Sequence, residues 1–520
     1  MIEKFLSSRF ITLYLIPFIL GLISVFSFQP FNLLVLNFIV LPIIFYLIVY
    51  IKKKSKSIYR KKPYKKNLFT FGTTFGFGFF LSGIHWITNS LTFDENFRVL
   101  IPIALIFIPL FLSLFFSITF LIIGPLLSYN FTSIFLFACS LSFSDYLRSK
   151  ILTGFPWNLW AYSFSWTTEI IQILNLIGLF AFNLISLTLF LIPSVIYLNT
   201  TFAKKLLFIS IIPIILFSFY IYGNYSINHN YKIQNSNETK TYIKVVSPNF
   251  NLEYDLSLQD INQRLDKLIR FSDPDKNTQT LFVWPEGVFS GYSLDELYHF
   301  KEKFSKVFSS QHYILFGVNI LDQNLKGYYN SLIIVDNKFN VIKEYKKQKL
   351  VPFGEFLPLG NLLEKFGLKK ITEGYGSFLK AKNQSNLIIN EINILPLICY
   401  EIIFTELIQK SDKNTNLIIN ISEDGWFGNS IGPDQHFAKS IFRAIEQDSY
   451  LVRSANKGIS AIINNKGEIV KKLGISEAGN IDLEVPIMST NKRNKNDLIF
   501  FLLLFTYVLL FKFYIKNNVK

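Results

Sequence analysis

The sequence predicts a multi-span α-helical membrane domain, with eight transmembrane helices in all, joined to a separate α/β domain. Three observations carry this expectation. Half of the 520 residues are hydrophobic, 56 of them Phe. The apolar residues gather into long runs at the two ends of the chain. From residue 241 the texture changes to short β-rich runs alternating with amphipathic helical patterns. A soluble chain of this length divides into domains with polar surfaces between them, whereas unbroken apolar runs are at home in lipid.

Crossing a bilayer takes about 17–25 apolar residues. Seven such runs precede residue 225, at roughly 9–28, 32–51, 68–89, 100–127, 131–147, 170–197 and 205–222, and an eighth spans about 498–515. The run 131–147 is the most interrupted, by Ser140, Ser142, Ser144 and Asp145. Lys and Arg in short loops set orientation. Lys4 and Arg9, the nine Lys/Arg of 52–66, Lys204 and Lys205, and Lys512, Lys516 and Lys520 all fall on the cytoplasmic side if the N-terminus does. Seven crossings then place the middle of the chain outside the cytoplasm. The first run lacks a small-x-small cleavage site and reads as a retained anchor. The expected domains are 1–225 with seven transmembrane helices, an extracytoplasmic domain at 226–490, and a last helix with cytoplasmic tail at 491–520.

Asp145, Arg148 and the aromatic-rich stretch 154–160 fall at the outer end of the fifth run and just after it. They fit an aromatic belt at headgroup level and equally a lipid portal beside the active site. The net charge of +16 does not indicate nucleic acid, because its densest cluster lies between two apolar runs, where a cytoplasmic loop belongs. Of the two cysteines, Cys139 stands in an apolar run and reads as a small buried hydrophobe. Cys399 stands alone in the polar middle of the chain.

Within that middle region, strands are expected near 242–246, 280–284, 313–317, 331–335, 341–345, 387–389, 394–398 and 417–421, with a hairpin at 459–463 and 467–470. Helical patterns lie around 258–271, 294–308 and 435–449. About 250 residues of this kind form an α/β or α+β domain with a sizeable core. Reactive groups stand where strands end: Glu286 after 281–285, Lys347 beyond 341–345, Cys399 after 394–398, and the stretch 420–428 after 417–419. Strand ends along one sheet edge are where α/β folds place their sites.

A cysteine nucleophile needs a base for its proton and a positive group for the oxyanion it creates. Of His229, His299, His312 and His436, only His436 stands near a strand-end motif. A carboxylate serves as base when burial raises its pKa. Glu286, flanked by Trp284, Pro285 and Gly287, suits that, Lys347 can supply a fixed cation, and a second acid such as Glu355 can hold the lysine. On residue types alone, each has an ordinary alternative: an inert thiol, a capping carboxylate, a solvated lysine.

Trp284-Pro285-Glu286, the run from Lys347 through Leu350-Val351-Pro352-Phe353-Gly354-Glu355, and Ile398-Cys399-Tyr400-Glu401 resemble the three catalytic motifs of the nitrilase superfamily. With the eight-span frame, the chain over essentially its full length resembles the apolipoprotein N-acyltransferase family. The segments 420–428, 433–436 and 453–460 fit the same family. The resemblance implies an αββα nitrilase-type sandwich, with Glu286 as base, Lys347 for oxyanion stabilisation and Cys399 as nucleophile. It implies Glu355 as the carboxylate orienting the lysine, and Tyr400 and Glu401 as shaping the acyl site. The implied reaction moves an acyl chain from a membrane phospholipid to Cys399 as a thioester. It then passes to the α-amine of the S-diacylglyceryl cysteine of an apolipoprotein, completing bacterial lipoprotein maturation. The implied location is the bacterial inner membrane, with the catalytic domain on the periplasmic side. The partners are the phospholipid and the lipoprotein, the chain acting as a monomer. No organic cofactor or metal is expected, since no HExxH or clustered Cys/His spacing occurs.

The family has a Trp near the start of this domain where Tyr254 stands here. Trp426 and Phe427 on a Gly-flanked loop read as mobile lid residues or as packed loop aromatics. Two rivals remain at this point: a membrane-anchored nitrilase-type amidase hydrolysing small amides, and a lipid-binding or transport protein carrying an inactive nitrilase-like domain.

Overall fold

The computed structural model describes residues 5–54, 64–234, 240–253, 255–358, 377–382, 384–487 and 497–518. Tyr254, the centre of the basic segment 52–66 and the expected domain boundary near 490 lie outside the described residues. The chain divides into two compact units: Met1–Thr88, Glu95–Tyr225 and Lys495–Lys520 form one, and Asn89–Asp94 with Ser226–Asn494 form the other.

The first unit is helical. Among the described residues, four helices are long and apolar enough to cross a membrane: Leu34–Lys54, Glu95–Leu126, Leu179–Tyr197 and Phe202–His229. Apolar helices at Ile11–Ser27, Thr168–Ile177 and Leu498–Phe513 are shorter. The expected run 170–197 is broken at Gly178, whose φ of +78° ends one helical piece and starts the next. Helix Phe131–Lys150 turns polar groups toward other helices. Arg148 and Asp145 pair at 2.8 Å in the interior, and Asn183 Nδ2 donates to Asp145 Oδ2 at 3.0 Å. Hydrogen bonding and pairing make buried polar groups tolerable in an apolar surround. Trp157 and Trp160 are fully buried. Trp157 lies 4.7 Å from the Trp86 ring and Trp160 lies 5.4 Å from Phe79. Asp145, Arg148 and these two tryptophans are therefore packing residues of the unit's interior, not a belt facing headgroups.

Helix Tyr64–Ile84 is diluted by Gly72, Gly76, Gly78 and Gly83, and those glycines explain its packing. A Cβ on Gly72 would come 2.8 Å from Ser117 Cα, and one on Gly76 would come 2.8 Å from Ser113 Cα. Small residues let helix backbones approach closely where lipid supplies no hydrophobic drive for association.

Among the described residues, the second unit holds two six-stranded sheets. The strands are β1 (Lys240–Ser247), β2 (Thr280–Val283), β3 (His312–Asp322), β4 (Gly327–Val335), β5 (Val341–Lys346), β6 (Leu387–Ile389), β7 (Ile392–Ile398), β8 (Leu417–Glu423), β9 (Tyr450–Asn456), β10 (Ser460–Ile463), β11 (Ile469–Leu473) and β12 (Gly479–Pro486). Their orders are β12-β1-β2-β3-β4-β5 and β11-β10-β9-β8-β7-β6. One core lies between the sheets, where Ile243, Val245 and Leu332 meet Ile394, Leu417 and Val452. Successive residues of a strand face opposite ways, so Val246, Phe282 and Phe316 form a second core with Ile261, Leu265 and Phe304 of the covering helices. Helix Leu258–Ser272 begins with a Ser257/Asp260 capping box. Helix Gly432–Gln447 packs on β9 and β10 on the far side. The layers run helix, sheet, sheet, helix, the sandwich that the resemblance implies.

Two strands escaped the sequence pattern. β9 is wholly buried, but Arg453, Ser454 and Asn456 interrupt its apolar run. β12 pairs antiparallel with β1 at the sheet edge and alternates with Asp482 and Glu484.

Gly76→Val is expected to lower stability by about 1–3 kcal/mol through overpacking, read as a lower midpoint of thermal unfolding in detergent. Gly76→Ala gives a smaller loss. A gain of about 1 kcal/mol, the helix-propensity benefit of Ala over Gly, would sink the close-approach account.

Candidate active site

β2 keeps its ladder one residue past its end, Trp284 N donating to Leu315 O at 2.8 Å. Pro285 then turns the chain, and Glu286 emerges over β3. Gly317 of β3 permits this, since a Cβ there would lie 3.0 Å from Glu286 Cα. At the end of β5, Lys347 N bonds Asn330 O of β4 at 2.9 Å. Cys399 follows β7 and opens a short 3-10 turn with φ +48°. That conformation costs a non-glycine residue about 1–3 kcal/mol and recurs where a side chain must be aimed.

The charged groups interlock. Lys347 Nζ lies 2.9 Å from Glu355 Oε1 and 3.4 Å from Glu286 Oε1, with Lys347 only 1% exposed. Asn330 Nδ2 donates to both carboxylates, at 2.7 Å each. Val351 N holds Glu355 Oε2 at 2.9 Å, and Glu423 N donates to Glu286 Oε2 at 3.2 Å. Burial would lower the pKa of Lys347, but the Glu286 and Glu355 carboxylates outweigh it and hold the ammonium well above its ordinary range. Cys399 is within electrostatic reach of both Glu286 and Lys347. Burial and the Glu286 charge push its thiol well above the ordinary range, while Lys347 opposes them. Cys399 therefore rests as a protonated thiol, and acting as a nucleophile would require it to lose that proton.

Glu401 ties the two sheets together behind Cys399. Its Oε2 accepts from Ile398 N at 2.9 Å and from Tyr345 OH at 3.0 Å. Its Oε1 accepts from Gln348 N at 2.7 Å and Lys349 N at 3.0 Å. Burial pushes its carboxyl up to about 7, against those backbone donors and Lys347. Tyr400 is buried, edge-on to Phe404 at 5.1 Å. Trp426 is half-buried on the loop after β8 and meets the Phe93 ring. The structure thus joins Glu286, Lys347 and Glu355 by direct bonds, with Cys399 and Glu401 beside them.

Sequence reasoning gave no role to Asn330 or Glu423. Asn330 in the middle of a β-rich run was the available signal, since Asn is depleted in strands. Glu423 is buried, accepting from Gly425 N at 2.8 Å and Asn456 Nδ2 at 2.7 Å. Burial, reinforced by Glu286 and Asp424, pushes it up to about 8. Beneath lies a polar cluster. Asp424 pairs with Arg453 at 2.7 Å and accepts from Ser422 Oγ at 2.7 Å, and His436 Nδ1 is 3.0 Å from Asp424 Oδ1. Burial would raise Asp424, but Arg453 and His436 hold it well below the ordinary carboxylate range. His436, lowered by burial and by Arg453, is bonded inside this cluster.

The family model for carbon-nitrogen hydrolases matches residues 253–491, which sets the class of the second unit. The model for the apolipoprotein N-acyltransferase N-terminal domain matches residues 20–192. A Rhodopseudomonas palustris protein called apolipoprotein N-acyltransferase is 30% identical over 486 residues, covering 91% of this chain and 89% of its own. One of the same name from Rickettsia prowazekii is 32% identical, covering 80% and 83%. Saccharomyces cerevisiae Nit3, of the nitrilase superfamily, aligns with 48% of this chain and 90% of its own at 18% identity and a TM-score of 0.35. The chain belongs to the apolipoprotein N-acyltransferase family.

Glu423 generates a pH prediction. Unfolded, it ionises near 4.5, and folded near 8. Between those values the folded state holds the extra proton, so its contribution makes stability fall as pH rises from 5 to 8. Glu423→Gln, which cannot ionise, is expected to flatten that decline by on the order of 1 kcal/mol or more. Parallel unfolding midpoints for the two proteins across this range would contradict it.

Proposed function

We propose that this acyltransferase moves an acyl chain from a membrane phospholipid, through a thioester on Cys399, to the α-amine of the N-terminal S-diacylglyceryl cysteine of an apolipoprotein. One observation carries the catalytic assignment: a buried lysine bonded to two carboxylates beside a lone cysteine at a strand end, in a chain of this family.

In the first half-reaction Glu286 takes the Cys399 proton as sulfur attacks the ester carbonyl carbon. The oxyanion forms beside the Lys347 ammonium, which the two carboxylates keep charged. Collapse breaks the bond to the glycerol oxygen, and the Glu286 proton passes to that oxygen, releasing a lysophospholipid. In the second half the lipoprotein amine attacks the thioester, Glu286 takes the amine proton, and the Cys399 thiolate leaves and recovers it. A thiolate is both a good nucleophile and a good leaving group, which suits it to a relay. Glu355 and Asn330 orient Lys347, Glu401 fixes the Cys399 turn, and Tyr400 and Trp426 border the acyl site.

Both substrates are anchored in a membrane. The family's named N-terminal domain and the four membrane-length helices support a membrane protein. The distribution of Lys and Arg supports eight crossings, with domains at 1–225, 226–490 and 491–520. On that reading the catalytic domain faces the periplasm from the inner membrane, and a monomer is sufficient.

Incubating the purified enzyme with labelled phospholipid should give a hydroxylamine-sensitive adduct on Cys399. Small amides turned over without any adduct would replace this reading with the amidase. Cys399→Ala should abolish both the adduct and lipoprotein N-acylation, followed by mass spectrometry of a substrate lipoprotein. Lys347→Met should slow thioester formation by about 10²–10³-fold, the range for losing one oxyanion donor. Lys347→Arg should not restore it, because a planar fork does not reproduce a compact ammonium between two carboxylates.

A further inference from the structure

Residues Asn89–Asp94 stand in the sequence between two apolar helices, yet they pack as part of the second unit. Their contacts fall on the loop after β8. Asn89 Nδ2 donates to the Phe427 carbonyl, which also accepts from Ser430 Oγ at 2.8 Å. The Asn89 amide fills the space a side chain at 428 would need: a Cβ there would lie 2.8 Å from Asn89 Nδ2 and 3.0 Å from its Cγ. Gly428 also has φ +59°, so conformation and space both demand glycine. Phe93 meets Trp426 edge-to-face at 5.3 Å and 82°, leaving its own ring 39% exposed.

The other end of this loop is fixed to the reactive groups. Glu423 N bonds Glu286 Oε2, and the next residue, Asp424, is locked to Arg453. The loop is thus held at 423–424 beside the base and at 427–428 by Asn89, with Gly425 bonded to Glu423 and Trp426 against Phe93 between them. Loss of the Asn89 bond would remove one of these holds on the segment that carries Trp426. The exposed face of Phe93 extends the apolar edge of Trp426, as an acyl chain would require.

We infer that Asn89 and Phe93 are positioning residues for acyl transfer, holding the 424–428 loop as an apolar wall of the acyl site and keeping Glu286 in register. This rests on the acyltransferase reading.

The test uses the full-length enzyme in detergent, with Asn89→Ala, Asn89→Asp and Phe93→Ala compared to wild type. Both Asn89 variants should raise amide exchange in peptides covering 424–430 by about tenfold, leaving the sandwich strands unchanged. They should lower kcat for thioester formation from labelled phospholipid by about tenfold, while Phe93→Ala mainly raises KM by about as much. Asn89→Gln, which keeps the amide donor, should recover part of the loss. Unchanged exchange at 424–430, or a looser loop with kcat and KM at wild-type values, would overturn the inference. If Asn89→Ala does not fold, Phe93→Leu keeps the apolar volume without the ring edge, and its KM decides in the same way. A wild type that forms no hydroxylamine-sensitive adduct defeats the acyltransferase reading itself. A wild type that forms it alongside fully active variants defeats only the role of Asn89 and Phe93.

Discussion

A single buried ammonium organises the catalytic unit. Lys347 has almost no contact with solvent, and two carboxylates flank its Nζ. Removing one partner from a buried pair typically costs about 3–5 kcal/mol because the remaining charge is stranded. Glu286, Glu355 and Lys347 therefore constrain one another, and Asn330 locks the arrangement by donating to both acids. Through them β2 and β5 of one sheet are fixed at their ends and β4 at Asn330. Glu423 N and the Glu401 carboxylate bring in β8 and β7 of the other sheet. The register between the two sheets is set where the reactive groups stand.

Charge in this small volume is kept close to balance. Lys347 faces two acids, while Glu401 and Glu423, each drawn upward by burial, can hold a proton near neutral pH. Were all four acids ionised, mutual repulsion would fall on Glu286 and on any thiolate forming at Cys399. In the proposed reaction a protonated thiol rests beside a carboxylate, and negative charge appears only when the carbonyl carbon is attacked. The Lys347 cation is already in place, so little reorganisation is needed at that moment.

The helical unit obeys a different solvent. Its helices approach through Gly72, Gly76, Ser113 and Ser117, and its buried Asp145 and Arg148 satisfy each other. In an aqueous domain such positions would hold larger apolar side chains, because burial from water stabilises by about 25 cal/mol per Å². Within lipid that gain is absent between helices, and close backbone contact takes its place.

The sequence by itself determined much of this protein: two kinds of domain, from where apolar runs lie, and, from local motifs, the strand ends where three candidate reactive residues stand. Most strands could be read because alternation and β-branched runs are local properties. β9 could not, because Arg453, Ser454 and Asn456 look exposed until partners far away in sequence bury and satisfy them. Asn330 and Glu423 were illegible for the same reason: their roles are bonds to Glu286, Glu355 and Asn456, separated from them by tens of residues. The run 154–160 likewise read as a surface feature until tertiary packing buried its tryptophans. Only tertiary structure decided that residues 89–94 belong with the catalytic unit, since sequence position records chain order and the loop contacts of Asn89 and Phe93 span more than three hundred residues.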